Sequence, residues 1–311
     1  MHREKRENAF GRYHPAVNML YFLLVMVYSV LYLHPVCLAI SLVCAFIYSV
    51  RLNGGRALRF NLLCLLPMLV VCALMNPMFN HEGATILFYL PNDNPVTAES
   101  IWYGLASATM LVTAICWFSC YNAVMTTDKF IYLFGRAIPG LSLVLSMALR
   151  QIPRFKAQAR IVASAQRGVG RDISTGNWLQ RARQGARIFS MVVTWALENG
   201  VETADSMRSR GYGLRGRTAY ALFPWTHRDT RALATILLCG VYVLVGQITG
   251  GLYYRYFPTF RWGQFDGYSV SVFVAFGVLC AVPLLVEALD AAAWKRSMQR
   301  NFPEPAGPEE S

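Results

Sequence analysis

Charge is what this sequence has least of. Only 15% of its 311 residues are Asp, Glu, Lys or Arg and 55% are hydrophobic, whereas a soluble domain carries about 25% charge. Such scarcity argues against an ordinary soluble enzyme and for long lipid-facing stretches. Metal chemistry is equally poorly supplied. None of the eight cysteines forms a Cys-x-x-Cys pair, Cys116 and Cys120 have no His close by, and His81-Glu82 lacks the second His of a zinc-protease helix. All eight cysteines fall inside apolar runs, where a thiol behaves as a small apolar side chain. No Gly-x-x-x-x-Gly-Lys-Ser/Thr phosphate loop occurs anywhere, so any ATP hydrolysis has to be a partner's. These absences leave no catalytic residue, metal site or cofactor to assign.

The charge that is present is unevenly placed. The chain carries a net +12, and 15 of its 29 Lys and Arg residues lie between Arg150 and Arg231, against five acids. A basic segment between apolar ones is what the positive-inside rule places in the cytoplasm. No nucleic-acid motif accompanies it, so no nucleic-acid partner is expected.

Six uncharged stretches read as crossings: residues 17–33, 36–50, 61–79, 101–124, 232–254 and 267–286. His34-Pro35 marks a tight turn between the first two, since proline disfavours helical geometry in the residue before it. Residues 1–12 are charged, but the apolar run behind them continues almost unbroken into a second one, so cleavage as a signal peptide is not expected. The 80–100 loop holds Glu82, Asp93 and Glu99 without Lys or Arg, as an external loop should, with turn residues gathered at 91–95. Residues 130–149 contain Arg136, Pro139 and Gly140 and only a short clean apolar part. They read as an interfacial or re-entrant element on the cytoplasmic side. The expected fold is therefore an all-α integral membrane protein with about six transmembrane helices, amphipathic cytoplasmic helices and both termini inside. Its regions are 1–149 (four spans and the interfacial element), 150–231 (cytoplasmic helices), 232–300 (a transmembrane hairpin and basic end) and 301–311, a Pro- and Glu-rich tail that cannot bury apolar surface.

Within 150–231 two helices stand out. Over 152–166, Ile152, Phe155, Ala159, Val162 and Gln166 recur at helical spacing, with Lys156, Arg160 and Arg167 on another face. Over 188–212, Glu198, Glu202 and Asp205 form an acidic stripe beside an apolar one of Val193, Leu197, Val201 and Ala204. Charged stripes are commonly solvated faces. The sharper expectation is that the acidic stripe faces Lys156 and Arg160 where the helices cross, setting geometry more than stability, because exposed pairs contribute about 0–1 kcal/mol.

Both helices finish in Arg-Gly-x-Gly, at Arg167-Gly168-Val169-Gly170 and at Arg210-Gly211-Tyr212-Gly213. A single Arg-Gly is usually an ordinary helix stop, with glycine in the left-handed conformation and arginine favoured by the negative end of the helix dipole. A third, Arg215-Gly216, shows how common the dipeptide is. The repetition on one side of the membrane favours a second role, since an Arg fork grips a carboxylate bidentately.

These helix ends, Gln166-Arg167-Gly168 and Ser209-Arg210-Gly211, resemble those of the coupling helices in the transmembrane (T) component of energy-coupling factor transporters. So do Leu149-Arg150-Gln151-Ile152-Pro153-Arg154-Phe155, the run from Glu202 to Gly213, and His14-Pro15-Ala16-Val17-Asn18 before the first span. The resemblance covers roughly residues 10–212, and Gln166 stands where Ala is common, at a position that varies. It implies a non-catalytic scaffold in the bacterial plasma membrane. Such a scaffold docks two ABC-type ATPases through the two Arg-Gly ends and passes their motion to a separate substrate-binding (S) membrane subunit, usually one for a vitamin. Two other classes compete. Glu198, Glu202 and Asp205 could hold Mg²⁺ in a membrane-embedded lipid enzyme. A self-contained permease would instead keep ionisable groups inside its spans as substrate or ion sites, and these six carry no Asp, Glu, Lys or Arg.

Overall fold

His-Pro starts each of the first two helices. The computed structural model describes residues 8–89, 95–135, 139–172, 176–214, 223–262 and 266–301. Helix α1 (Pro15–Leu31) and helix α2 (Pro35–Asn53) both carry proline in the first turn, where its missing N–H is no loss. In both, the preceding histidine accepts a hydrogen bond through Nδ1: His14 from the Ala16 N–H and His34 from the Val36 N–H, each at 3.2 Å. Helix α3 (Gly55–Phe60) leads through a π-turn at Asn61–Leu65 into α4 (Leu66–Phe79). The π-turn has a local cause, because Pro67 lacks an N–H and its ring crowds the carbonyl four residues back.

Strands β1 (Ile86–Tyr89) and β2 (Pro95–Thr97) pair antiparallel before α5 (Ala98–Val124). A short helix α6 (Thr127–Gly135) is followed by α7 (Pro139–Gly168) and α8 (Trp178–Ser209). Helix α9 (His227–Ile248), a two-residue ladder of β3 (Tyr254–Arg255) with β4 (Arg261–Trp262), and α10 (Gly267–Asn301) complete the described chain. Two compact units result: Met1–Thr127 with Phe223–Ser311, and Asp128–Leu222. The expected 301–311 tail, apart from Asn301, lies outside the described residues, as do Arg136, Ile138, 91–94 of the expected turn cluster, and Arg215-Gly216.

The first unit is an all-α membrane bundle. Among the described residues, five of its helical segments are long and apolar enough to cross a bilayer: Pro35–Asn53, Gly55–Phe79, Ala98–Val124, His227–Ile248 and Gly267–Gln299. Helix α1 is apolar too, but at 17 residues it sits at the lower limit of about 17–25 for a crossing. Its core is aromatic, with Tyr21, Phe22, Tyr48, Trp117 and Phe276 fully buried. Four hydrogen bonds satisfy buried hydroxyl and indole groups across helices in this apolar setting, the kind of bond that helps hold a lipid-embedded bundle together. Trp117 Nε1 donates to Ser41 Oγ at 2.9 Å, Ser41 and Ser29 share a 2.6 Å bond, and Tyr21 and Tyr28 donate to the carbonyls of Cys280 and Gly240. Helix α1 is thereby bonded to both α10 and α9.

Two buried carboxylates have partners far away in the chain. Glu99 is buried at the start of α5, where its carboxylate accepts from Thr85 N (3.2 Å) and Thr85 Oγ1 (2.9 Å). Asp229, also buried, accepts from His14 N at 2.8 Å with one oxygen and from Thr226 N with the other. This capping box latches the segment before α1 to the start of α9.

His34, in the turn between α1 and α2, yields a pH prediction. Its ring lies 4.8 Å from Phe273 and 5.4 Å from Tyr254, and burial lowers its pKa from 6.5 to about 4. The unfolded chain therefore takes up this proton first as pH falls, so the contribution is intact above pH 6.5 and is lost on the way down to about 4. The loss by pH 4 is on the order of 2–3 kcal/mol. Thermal unfolding in detergent across pH 7.5 to 4.5 should show a steeper decline for wild type than for His34→Asn, which keeps a capping acceptor without the titration. Parallel curves would remove His34 as the cause.

Candidate functional site

The second unit is built on α7 and α8, both longer than the periodicity indicated. Helix α7 begins at Pro139, so the apolar part of 130–149 opens the amphipathic helix itself, and Pro153 lies inside it without ending it. Helix α8 begins at Trp178 and closes at Ser209. The helices pack on each other through an edge-to-face contact of Phe155 with Trp195 (6.1 Å between centroids) and a 3.8 Å bond from Gln166 Nε2 to Met191 Sδ. On α7 Phe155, Ala159, Val162 and Gln166 are half-buried, as their spacing predicts, but Ile152 is exposed. On α8 the covered face runs through Gln184, Ile188, Val192, Trp195, Asn199 and Thr203.

That covered face displaces the expected crossing of charges. Lys156, Arg160, Glu198, Glu202 and Asp205 are all exposed, and among the described residues no ion pair joins the basic set to the acidic one. The physical reason is that α8 carries two stripes at helical spacing, and the one holding Ile188 and Trp195 is turned to α7. The other apolar stripe is left open: Phe189, Val193, Leu197 and Val201 are 71%, 38%, 67% and 64% exposed. The three carboxylates are likewise turned outward, and no group of His, Cys, Asp and Glu close enough to hold a metal ion occurs among the described residues.

The two helix ends are alike in type and different in register. Both are Schellman closures, in which an N–H beyond a left-handed residue returns to a carbonyl in the last turn. At the first end Arg171 N reaches Gln166 O (2.9 Å) and Gly170 N reaches Arg167 O (2.9 Å), with Gly170 at φ +78°. At the second end Tyr212 N reaches Met207 O and Gly211 N reaches Arg208 O, both at 3.0 Å, with Gly211 at φ +80°. Gly168 is therefore the last helical residue and not the left-handed one, a correction to the sequence expectation. Either glycine of Arg-Gly-x-Gly can take that position, and the local carbonyl partners decide which does. Arg167 thus lies in the last turn of α7, whereas Arg210 is the capping residue of α8.

Both arginines and their neighbours Gly168 and Ser209 are exposed, and Gln166 and Gly211 are half-buried. Arg167 Nε bonds Asp172 Oδ1 at 3.0 Å. Among the described residues no carboxylate is within ion-pairing distance of Arg210. Sequence reasoning missed Asp172, because a carboxylate five residues past an arginine becomes its neighbour only once the chain reverses at Gly170.

Comparison with known proteins gives a consistent picture. The sequence model of the cobalt transport protein family CbiQ matches residues 7–220. The chain is 33% identical over 142 residues to the energy-coupling factor transporter transmembrane protein EcfT of Lactobacillus helveticus, covering 45% of this chain and 51% of that one. With the protein of the same name from Bacillus selenitireducens the identity is 33% over 112 residues (36% and 42%), and with that from Streptococcus thermophilus 28% over 138 residues (44% and 52%). In each case the match spans about half the length of the relative or less.

Proposed function

Because the chain belongs to the cobalt transport protein (CbiQ) family, we propose that it is the transmembrane coupling subunit of an energy-coupling factor importer for a vitamin or other micronutrient. Arg167 and Arg210 dock two ABC-type ATPase subunits, and α7 and α8 carry their motion to a separate substrate-binding membrane subunit. The observation that carries this reading is the pair of exposed guanidinium groups at the closed ends of two helices packed on one another. A rigid helix ending in a fixed fork positions a bidentate grip far better than a loop does.

The open stripe of Phe189, Val193, Leu197 and Val201 supports the other half of the proposal. Exposed apolar rows of this kind call for a cover. A membrane subunit, itself apolar, is the occupant we assign, and that subunit also carries substrate selectivity. Both termini and the second unit are then cytoplasmic, as the Lys and Arg distribution directs.

The proposal makes the chain non-catalytic. Purified alone in mild detergent, it should show no Mg²⁺-dependent ATP turnover above a protein-free blank, and adding the ATPase subunits should supply all of it. Saturable turnover by the isolated chain would contradict the assignment.

A further inference from the structure

Resting on the docking role given to Arg167, we propose that Asp172 is an internal place-holder for the partner's carboxylate, so that the first arm is held and the second is open. The Schellman turn creates the juxtaposition. Gly170 in the left-handed conformation reverses the chain, Arg171 N closes onto Gln166 O, and Asp172 is delivered beside the last helical turn. There its Oδ1 accepts from Arg167 Nε at 3.0 Å, with 63% of the arginine side chain and 30% of the aspartate side chain exposed. Nε belongs to an edge of the guanidinium that a bidentate carboxylate uses. A partner carboxylate approaching that edge has to displace Asp172.

The second arm has no counterpart. Arg210 sits at the cap with its glycine directly behind it, and among the described residues no carboxylate pairs with it. The chain that follows Gly211 runs Tyr212-Gly213-Leu214, with nothing acidic in it. The arms therefore differ in what docking demands. The second accepts a carboxylate directly, and the first exchanges one carboxylate for another. Because the held pair is exposed, the hold is light, worth about two- to fivefold in affinity. That suffices to order the two engagements, with the Arg210 arm leading, while leaving the complete assembly stable.

Single-arm variants of the full chain test this directly. Arg210→Ala leaves only the first arm and Arg167→Ala only the second. Binding of purified ATPase subunits to each is measured by surface titration in detergent, with and without Asp172→Asn, which keeps the size and turn-forming capacity of aspartate but not its charge. In the Arg210→Ala chain, Asp172→Asn should tighten binding about two- to fivefold, and in the Arg167→Ala chain it should change nothing. No tightening in the first case, or equal tightening in both, overturns the place-holder, the latter revealing a general effect of net charge. If the chain lacking both arginines still binds, the docking role fails and this inference falls with it. If that chain lets go and Asp172→Asn has no arm-specific effect, only this inference falls.

Discussion

A chain carrying both Arg167→Ala and Arg210→Ala should lose its ATPase subunits almost completely, while each single substitution leaves a weakened complex that still co-purifies. Removing one member of a buried, hydrogen-bonded charge pair costs about 2–5 kcal/mol, roughly 30-fold or more in affinity. Two arms on one scaffold reinforce each other through effective concentration, so losing one forfeits that gain and losing both leaves neither contact. Lysine at either position should restore only part of the binding, because it keeps the charge and loses the fork. The helix ends should survive these changes. Their closing bonds are backbone to backbone, and the left-handed positions belong to Gly170 and Gly211, which are untouched. Arg160→Ala, an exposed change on α7 away from its end, serves as the control and should have little effect. Pull-down from detergent-solubilised membranes, with expression and insertion matched, reads the outcome.

The largest expected effect on the fold lies at Gly104, where α5 meets α4. A Cβ there would stand 2.6 Å from the Ala73 carbonyl oxygen and 2.9 Å from Asn76 Cβ. The nearer obstacle is backbone, so no rotamer change relieves it, and α4 has to move. Overpacking of this kind costs about 1–3 kcal/mol and occasionally more. Gly104→Ala should lower the unfolding temperature in detergent measurably, and Gly104→Val should lower it further and reduce the yield of monodisperse protein. Gly277→Ala is the comparison, since its Cβ would meet nothing nearer than Ile40 Cγ2 at 3.7 Å. Equal unfolding temperatures for wild type and Gly104→Ala would rule out the close approach of the two helices.

The membrane bundle was largely legible because lipid imposes a simple rule, the absence of charge over a helix long enough to span. Asn61 to Phe79 and Ile101 to Val124 stand out on that ground alone. The His-Pro starts were legible as a turn at His34, though not as a repeated cap. Boundaries slipped where helix-forming residues continue past the apolar limit. Helix α10 runs on to Asn301 through a stretch with four alanines (Ala288, Ala291, Ala292 and Ala293) that favours helix without needing lipid. The buried carboxylates of Glu99 and Asp229 were hidden because their partners, Thr85 and His14, come from elsewhere in the chain.

In the second unit, spacing revealed the stripes but not which one is covered. Val193, Leu197 and Val201 are as regular as Ile188, Val192 and Trp195, and only the packing of α7 on α8 separates them. The same limit hid the inequality of the helix ends. Two copies of Arg-Gly-x-Gly look interchangeable in sequence, yet the glycine that closes the helix is the second in one and the first in the other. Asp172 gains its place beside Arg167 from that choice.

Photo-crosslinking from the two helix ends reads the docking most directly. A benzoylphenylalanine residue is introduced separately at positions 167, 210 and 160 of the full chain, the transporter is assembled and irradiated, and adducts are identified by mass spectrometry. Positions 167 and 210 should each yield an adduct with an ATPase subunit, and position 160 should not. Adducts from 167 and 210 confined to a membrane subunit or to the chain itself would contradict docking through these ends.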